Sequence, residues 1–256
     1  MTPKITIITA TYNSGATIKD CLDSISNQDY ACIEHIIIDG GSTDDTVSII
    51  TDYSKKHTHI TWISEPDSGI YDALNKGLKM ASGVIIGFLH SDDLFANHTI
   101  ISRIVASFTK GSIDGVYGDL VYVKKDNISH IVRNWRSKAF KPPMLRQGWM
   151  PAHPTLFLKR DVYHISGFFN LSYTISSDYD FVLRVFSNRN LCFTYLDTNI
   201  TIMRLGGASN KTIRHIIVKM REDLRAIKNN KIKYPTYVLF MKNVSKFSQF
   251  FKKTVI

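Results

Sequence analysis

Cysteine is scarce. Cys21, Cys32 and Cys192 are odd in number and scattered along 256 residues, which excludes a disulfide framework and any cysteine-based metal cluster. They read as buried, reduced thiols of a cytoplasmic protein. No apolar run approaches the roughly 20 residues of a membrane-spanning helix. Met1-Thr-Pro-Lys4 leads straight into a β-rich stretch, so no secretory leader is expected. A glycine-rich dinucleotide fingerprint and a phosphate-binding P-loop are both missing, which disfavours a Rossmann dehydrogenase and a P-loop nucleotidase. Internal repeats and low-complexity segments are absent too. What remains is an ordinary globular composition, 44% hydrophobic and 21% charged, with room for one large α/β domain and an appendage.

Acidic residues are nearly missing from one place. Residues 211–256 hold 12 of the 32 Lys and Arg but, of the 22 Asp and Glu, only Glu222 and Asp223, so the tail carries the whole net charge of +10. The first 210 residues are neutral, and with no recognition motif present nucleic acid is not the expected partner. In the tail, Tyr237, Phe240, Met241, Val244, Phe247 and Phe251 recur at helical spacing, with Lys242, Lys246, Gln249 and Lys253 opposite. Such a basic amphipathic helix over 237–253 suits an anionic membrane surface. Packing of the apolar stripe on the protein itself is the alternative.

The body of the chain has a regular rhythm. Strands are expected at Ile5–Thr9, Glu34–Ile38, Ile60–Ile63 and Val84–Leu89, and helices at 18–25, 45–54 and 70–80. Strand, loop and helix thus alternate through the first ninety residues, which predicts βαβ units around a mostly parallel sheet. The loops after these strands then gather on one sheet edge, where open α/β folds bind ligands. Those loops are acidic: Asp39 after the second strand, Asp67 after the third, Asp92 and Asp93 after the fourth. Adjacent like charges repel, so a pair at such an edge suggests a cation, and hard divalent metals favour oxygen ligands that also bridge phosphates. Asp39 could accept hydrogen bonds from a base or ribose while Gly40, Gly41 and Ser42 let the backbone approach; it could equally cap the next helix.

Beyond residue 110, strands are expected at 116–123, 130–132 and 191–197. A proline-rich loop fills 138–154, and a helix starts near Asp178 with two acids in its first turn.

In their order, Thr9-Ala-Thr-Tyr-Asn13, Ile37-Ile-Asp-Gly-Gly-Ser-Thr-Asp44, Ser64-Glu-Pro-Asp-Ser-Gly-Ile-Tyr-Asp72, Asn75-Lys-Gly77, Gly87-Phe-Leu-His-Ser-Asp-Asp93, His153 and Ser177-Asp-Tyr-Asp-Phe-Val-Leu-Arg184 resemble glycosyltransferase family 2. The likeness spans about residues 4–210 and is strongest to the branch that builds bacterial surface polysaccharides and lipopolysaccharide. It implies a Rossmann-like, A-type glycosyltransferase fold and an inverting, hexosyltransferase-type reaction. The donor would be a nucleoside-diphosphate sugar, with UDP the default because a small acidic pocket suits uracil, and the acceptor a glycan or lipid-linked sugar. Mn²⁺ or Mg²⁺ would be the cofactor.

The resemblance also implies roles. Thr9, Thr11 and Asn13 would line the nucleotide pocket, Asp39 would hold the base, and Asp67 would lie near base and ribose. Asn75 and Lys76 would complete the donor side, Lys76 compensating for an Arg that the family often carries where this chain has Leu74. Asp92 would approach the ribose or sugar phosphate, and Asp93 would ligate the metal without help from Ser91, where the family often has an acid. Asp178 would be the catalytic base. Asp180, Trp149 and His153 would lie on the acceptor side, and Gly206–Ser209 would close over the diphosphate. These expectations put a catalytic domain at 1–210 and a basic helical appendage at 211–256, working at the inner face of the cytoplasmic membrane.

Overall fold

The computed structural model describes residues 2–206 and 213–247. Most of the expected closing loop at 206–209, and the tail beyond 247, lie outside them.

Seven residues of β1 (Ile5–Thr11) are buried on both faces, as an apolar β-branched run at the centre of a parallel sheet must be. Side chains alternate across it. Ile8 and Ala10 join the apolar cluster on one face, Ile5 and Ile7 the cluster on the other. On either side of β1 lie β2 (Ile33–Asp39) and β4 (Ile85–Phe88), with β3 (Ile60–Ser64) outside β2, all parallel. The sheet then turns mixed. A short antiparallel strand, β8 (Phe157–Lys159), joins β4 to β6 (Gly115–Lys124); β6 carries β7 (Asn127–Trp135) and β9 (Phe193–Arg204), and β5 (Leu94–Phe95) ends the sheet.

Helices cover both faces. α1 (Ile18–Ser26) turns Ile18, Cys21, Leu22 and Ile25 inward at helical spacing. With α2 (Thr46–Ser54) and α4 (Ile100–Lys110) it packs one side. α3 (Ile70–Met80), α5 (Arg160–Ser166) and α6 (Ser177–Ser187) pack the other. At Gly77, α3 comes so close to β1 that an added Cβ would lie 2.4 Å from Ile8 Cγ2.

The expected α/β architecture and its order of elements hold, with differences in the second half. The return strand runs from 127 to 135 and the last strand from 193 to 204. Both gain their length from pairing with β6, a long-range contact that local periodicity does not reveal. The loop at 138–154 contains 3₁₀ turns at Pro142–Gln147 and His153–Thr155. Of the thiols only Cys21 is buried; Cys32 is half-buried and Cys192 exposed.

Two helices, α7 (Ile213–Asn229) and α8 (Pro235–Phe247), make up the described part of the tail. Neither stands apart from the body. Ala226, Ile227 and Val238 are fully buried in the cluster that holds Leu145 and Tyr179. The orientation of α8 overturns one expectation. Lys242, placed on the solvent side by the sequence pattern, is only 3% exposed, while Tyr237, Phe240 and Val244 face outward. The reason is tertiary. Gly148, at φ +70, seats the α8 backbone so closely that an added Cβ would lie 2.4 Å from the Lys242 nitrogen, and Asp223 of α7 receives the Lys242 ammonium at 2.8 Å. Among the described residues no helix is long and apolar enough to cross a membrane.

Candidate active site

Parallel pairing brings the ends of β1, β2 and β3 into line, with Thr11 opposite Asp39 and Asp39 opposite Ser64. The loops leaving them are stitched together. The Asp39 carboxylate, fully buried, accepts from the Gly41 and Ser42 amides, the Ser42 hydroxyl and the Ser64 hydroxyl. Asn13, at φ +48, accepts from the Thr43 amide at 2.9 Å, and its own amide donates to the Ser42 hydroxyl. Asp67 accepts from the Gly69 amide and lies over Gly40, where an added Cβ would meet its Oδ2 at 2.6 Å. Glycine at 40 therefore lets the Asp67 carboxylate lie against the main chain. Lys76 holds the third loop from behind, through Glu65 at 2.7 Å and the Pro66 carbonyl. Thr11 leaves a buried hydroxyl with no hydrogen-bond partner at this edge.

Two expected residues do not reach it. Thr9 is fully buried with its hydroxyl 3.0 Å from His35 Nε2. Asn75 exchanges two hydrogen bonds with the main chain of Phe169, so it clamps α3 to the segment before α6.

The fourth loop divides its two acids. Asp93 is fully buried, and neither of its oxygens makes a hydrogen bond of normal geometry. Burial, reinforced by the Asp92 charge, pushes its carboxyl well above the usual range against a weaker pull from Arg204. Asp92 is half-buried, and its carbonyl accepts from Arg204, whose other nitrogen binds Asp20 at 2.6 Å. The two oxygens of Asp93, the expected metal ligand, are thus left without a hydrogen-bond partner, as a carboxylate kept for a cation would be, and Asp92 lies half-exposed beside it. No group of three His, Cys, Asp or Glu assembled for a metal is found among the described residues.

Asp178 is the second residue of α6. Its Oδ2 lies 3.1 Å from His153 Nδ1, and its Oδ1 3.2 Å from the Tyr71 hydroxyl, which also donates to the Ile175 carbonyl. Burial raises the Asp178 carboxyl, but His153, Lys242, the Tyr179 amide and Tyr71 together outweigh it and hold the group below the usual carboxylate range. His90 joins the two sides. Burial lowers its imidazole, followed by the charge of His153, while Asp92 and Asp178 pull it up. Asp180 turns away, as two helical positions of separation require. It binds Arg184 at 3.0 Å and Asn230 at 2.9 Å, at the α6–α7 contact. Trp149 is packed among Phe140, Tyr117 and Phe186.

Sequence reasoning missed Tyr71 and Arg204. Tyr71 carries no charge to flag it, although it lies inside a quoted motif. Arg204, a cation ending an apolar strand, gave the same kind of signal as Asp92 did.

A mixed α/β sheet with acidic loops gathered at one edge is the setting in which the comparisons place this chain among the glycosyltransferases. The family model described as Glycosyl transferase family 2 matches residues 6–168. The chain is 31% identical over 214 residues to the PGL/p-HBAD biosynthesis glycosyltransferase of Mycobacterium bovis, covering 82% of this chain and 81% of that one. Its fold is similar to S. aureus TarS 1–349 in complex with UDP-GlcNAc, with a TM-score of 0.70 at 20% identity, over 96% of this chain and 73% of that one. It spans 44% of a longer TarS chain. The mannosyltransferase PcManGT of Pyrobaculum calidifontis, in complex with GDP-Man and Mn²⁺, has a TM-score of 0.62 at 17% identity, over all of this chain and 77% of its own. The chain belongs to glycosyltransferase family 2.

Proposed function

We propose that this glycosyltransferase moves one sugar from a nucleoside-diphosphate sugar, UDP-linked by default, to a glycan or lipid-linked acceptor in the synthesis of a bacterial surface polysaccharide. The observation that carries the reading is the pairing of Asp178 with His153 and Tyr71, with His90 of the Asp92 loop in electrostatic reach of both His153 and Asp178. UDP-GlcNAc in one structural relative, and GDP-Man with Mn²⁺ in another, support the donor class.

In this reading Asp178 accepts the acceptor hydroxyl's proton as its oxygen attacks the anomeric carbon, and the bond to the diphosphate breaks with inversion. His153 and Tyr71 hold the Asp178 oxygens. Asp39, Asn13 and Thr11 form the floor of the nucleotide pocket, with Asp67 beside it and Lys76 fixing the third loop. Asp93, whose two oxygens have no hydrogen-bond partner, would hold Mn²⁺ or Mg²⁺, whose charge would offset that on the departing diphosphate, with Asp92 near the ribose or sugar phosphate. The protein would work at the inner face of the cytoplasmic membrane, with the outward apolar residues of α7 and α8 against an anionic surface.

A thermal-shift screen of UDP-, GDP- and dTDP-sugars, with and without Mn²⁺, tests the donor and metal assignments. One donor should stabilise the fold by RT ln(1 + [L]/Kd), read as a raised Tm, and more so with Mn²⁺. Asp93→Asn should remove the Mn²⁺ increment; an increment kept in Asp93→Asn and lost in Asp92→Asn would move the metal to Asp92.

A further inference from the structure

The tail has two acidic residues, Glu222 and Asp223, and Glu222 reaches into the catalytic half. Glu222 of α7 accepts three main-chain N–H bonds from consecutive residues: Thr174 at 2.8 Å on one oxygen, Ile175 at 2.8 Å and Ser176 at 2.9 Å on the other. Those residues form the last turn of chain before α6, and Asp178 is two positions further on. A carboxylate accepting several amides makes strong, charge-assisted bonds. Here they fix three successive peptide planes.

The rest of this α7 face holds the same segment. Arg225 donates to the Ser172 carbonyl at 2.6 Å and stacks 4.0 Å over the Tyr173 ring. Asn229 donates to the Tyr173 hydroxyl, and Asn230 reaches Asp180. Residues 222, 225, 229 and 230 share one helical face. From the other side, Tyr71 of α3 holds the Ile175 carbonyl and Asp178 itself. Asp223, next to Glu222, pairs with the buried Lys242, whose ammonium lies 3.2 Å from the centre of the Tyr179 ring. The tail thus supports Asp178 from two directions.

The structure assigns Glu222 a positioning function: through it, the basic tail sets the loop that carries Asp178 to the acceptor. The assignment rests on reading Asp178 as the base, and it makes part of 211–256 a working part of the transferase. Glu222 touches no substrate. Its effect passes through the 174–176 main chain.

The test compares the full-length chain with Glu222→Ala and Glu222→Gln. Nucleoside-diphosphate release is measured from UDP-, GDP- and dTDP-sugars with a panel of oligosaccharide and polyprenyl-phosphate-linked acceptors. Displacing a base by about 1 Å costs on the order of 10²-fold, so Glu222→Ala should lower kcat by about that factor and leave the donor's KM and thermal shift unchanged. Glu222→Gln keeps one carbonyl acceptor but sets an NH₂ against an amide, so it should fall between. In an Asp178→Asn background Glu222→Ala should add no further loss, because residues acting as one unit are not additive. A merely structural role would lower Tm while leaving kcat intact below the melting range, and its loss would add to that of Asp178→Asn. If the wild type turns over a donor and Glu222→Ala stays within about threefold of it, the assignment is overturned alone. A wild type inactive with every donor overturns the base reading as well. Should Glu222→Ala fail to fold, Glu222→Gln carries the same comparison.

Discussion

Asp178 and Asp180 are two positions apart in one helical turn and have opposite surroundings. Asp178 meets His153 and Tyr71, while Asp180 meets Arg184 and Asn230. Helical geometry foresees that only one can face a site. The neighbours decide which, and they lie at distances in sequence that local pattern does not span. The pH behaviour follows from them. Burial works against the Asp178 charge, yet His153 and Lys242 hold its carboxyl below the ordinary range. A lowered folded value contributes stability above the unfolded carboxylate pKa, lost as pH falls through the folded value. For activity, Asp178 is ionised from mildly acidic pH upward. His153→Ala removes the largest opposing charge, so the acid limb of kcat/KM should move to higher pH. An unmoved limb would mean that another group sets it. The fourth loop carries a second lesson at this scale. Adjacent acids after an apolar strand mark a functional edge, but nothing in two neighbouring letters says which is sealed. Asp93 is buried and Asp92 half-exposed because of how the His90–Asp93 turn closes, with the Asp93 amide on the His90 carbonyl.

At the scale of elements, the first half of the fold was legible. Each strand and helix there is short, strongly periodic and paired with a near neighbour, so the alternation through β4 and the gathering of Asp39, Asp67 and Asp92 on one edge follow from local pattern. β7 and β9 were under-read because their length depends on β6. α8 was read with the correct periodicity and the wrong side down. Amphipathicity identifies a stripe without saying which stripe a tertiary neighbour selects. Gly148 and Asp223 select the Lys242 side, Gly148 by admitting the α8 backbone and Asp223 by neutralising the ammonium. Burial brings Lys242 down to about 8 even so. Gly148→Ala should therefore destabilise the protein by about 2–4 kcal/mol, combining overpacking with a strained positive φ. Chemical denaturation measures it, and a change under about 0.5 kcal/mol would be the ordinary surface response and would contradict close seating of α8.

Over the whole molecule, charge and apolar exposure coincide. The body is neutral, the tail holds the net charge of +10, and Ile216, Ile217, Met220, Tyr237, Phe240 and Val244 are exposed on its helices. Lys and Arg near an anionic bilayer contribute roughly 1 kcal/mol each, and exposed aromatics add apolar burial. Tyr237 and Phe240 turn outward while Val238 and Lys242 pack on the body, so in the proposed reading the two aromatics would meet the bilayer. The chain should co-sediment with phosphatidylglycerol vesicles, not with phosphatidylcholine ones, and release at high salt. Phe240→Ser together with Tyr237→Ser should weaken binding without lowering Tm. Equal binding to both vesicle types, or none, would remove the membrane from the account.

The central claim is that this fold transfers a sugar with Asp178 as base. Asp178→Asn keeps the shape and removes the proton acceptor, so kcat with the donor found by thermal shift should fall by at least the 10²–10⁴-fold that such catalysis supplies. The donor-induced Tm shift should match the wild type. Turnover within about tenfold of wild type, well short of that factor, would contradict the account.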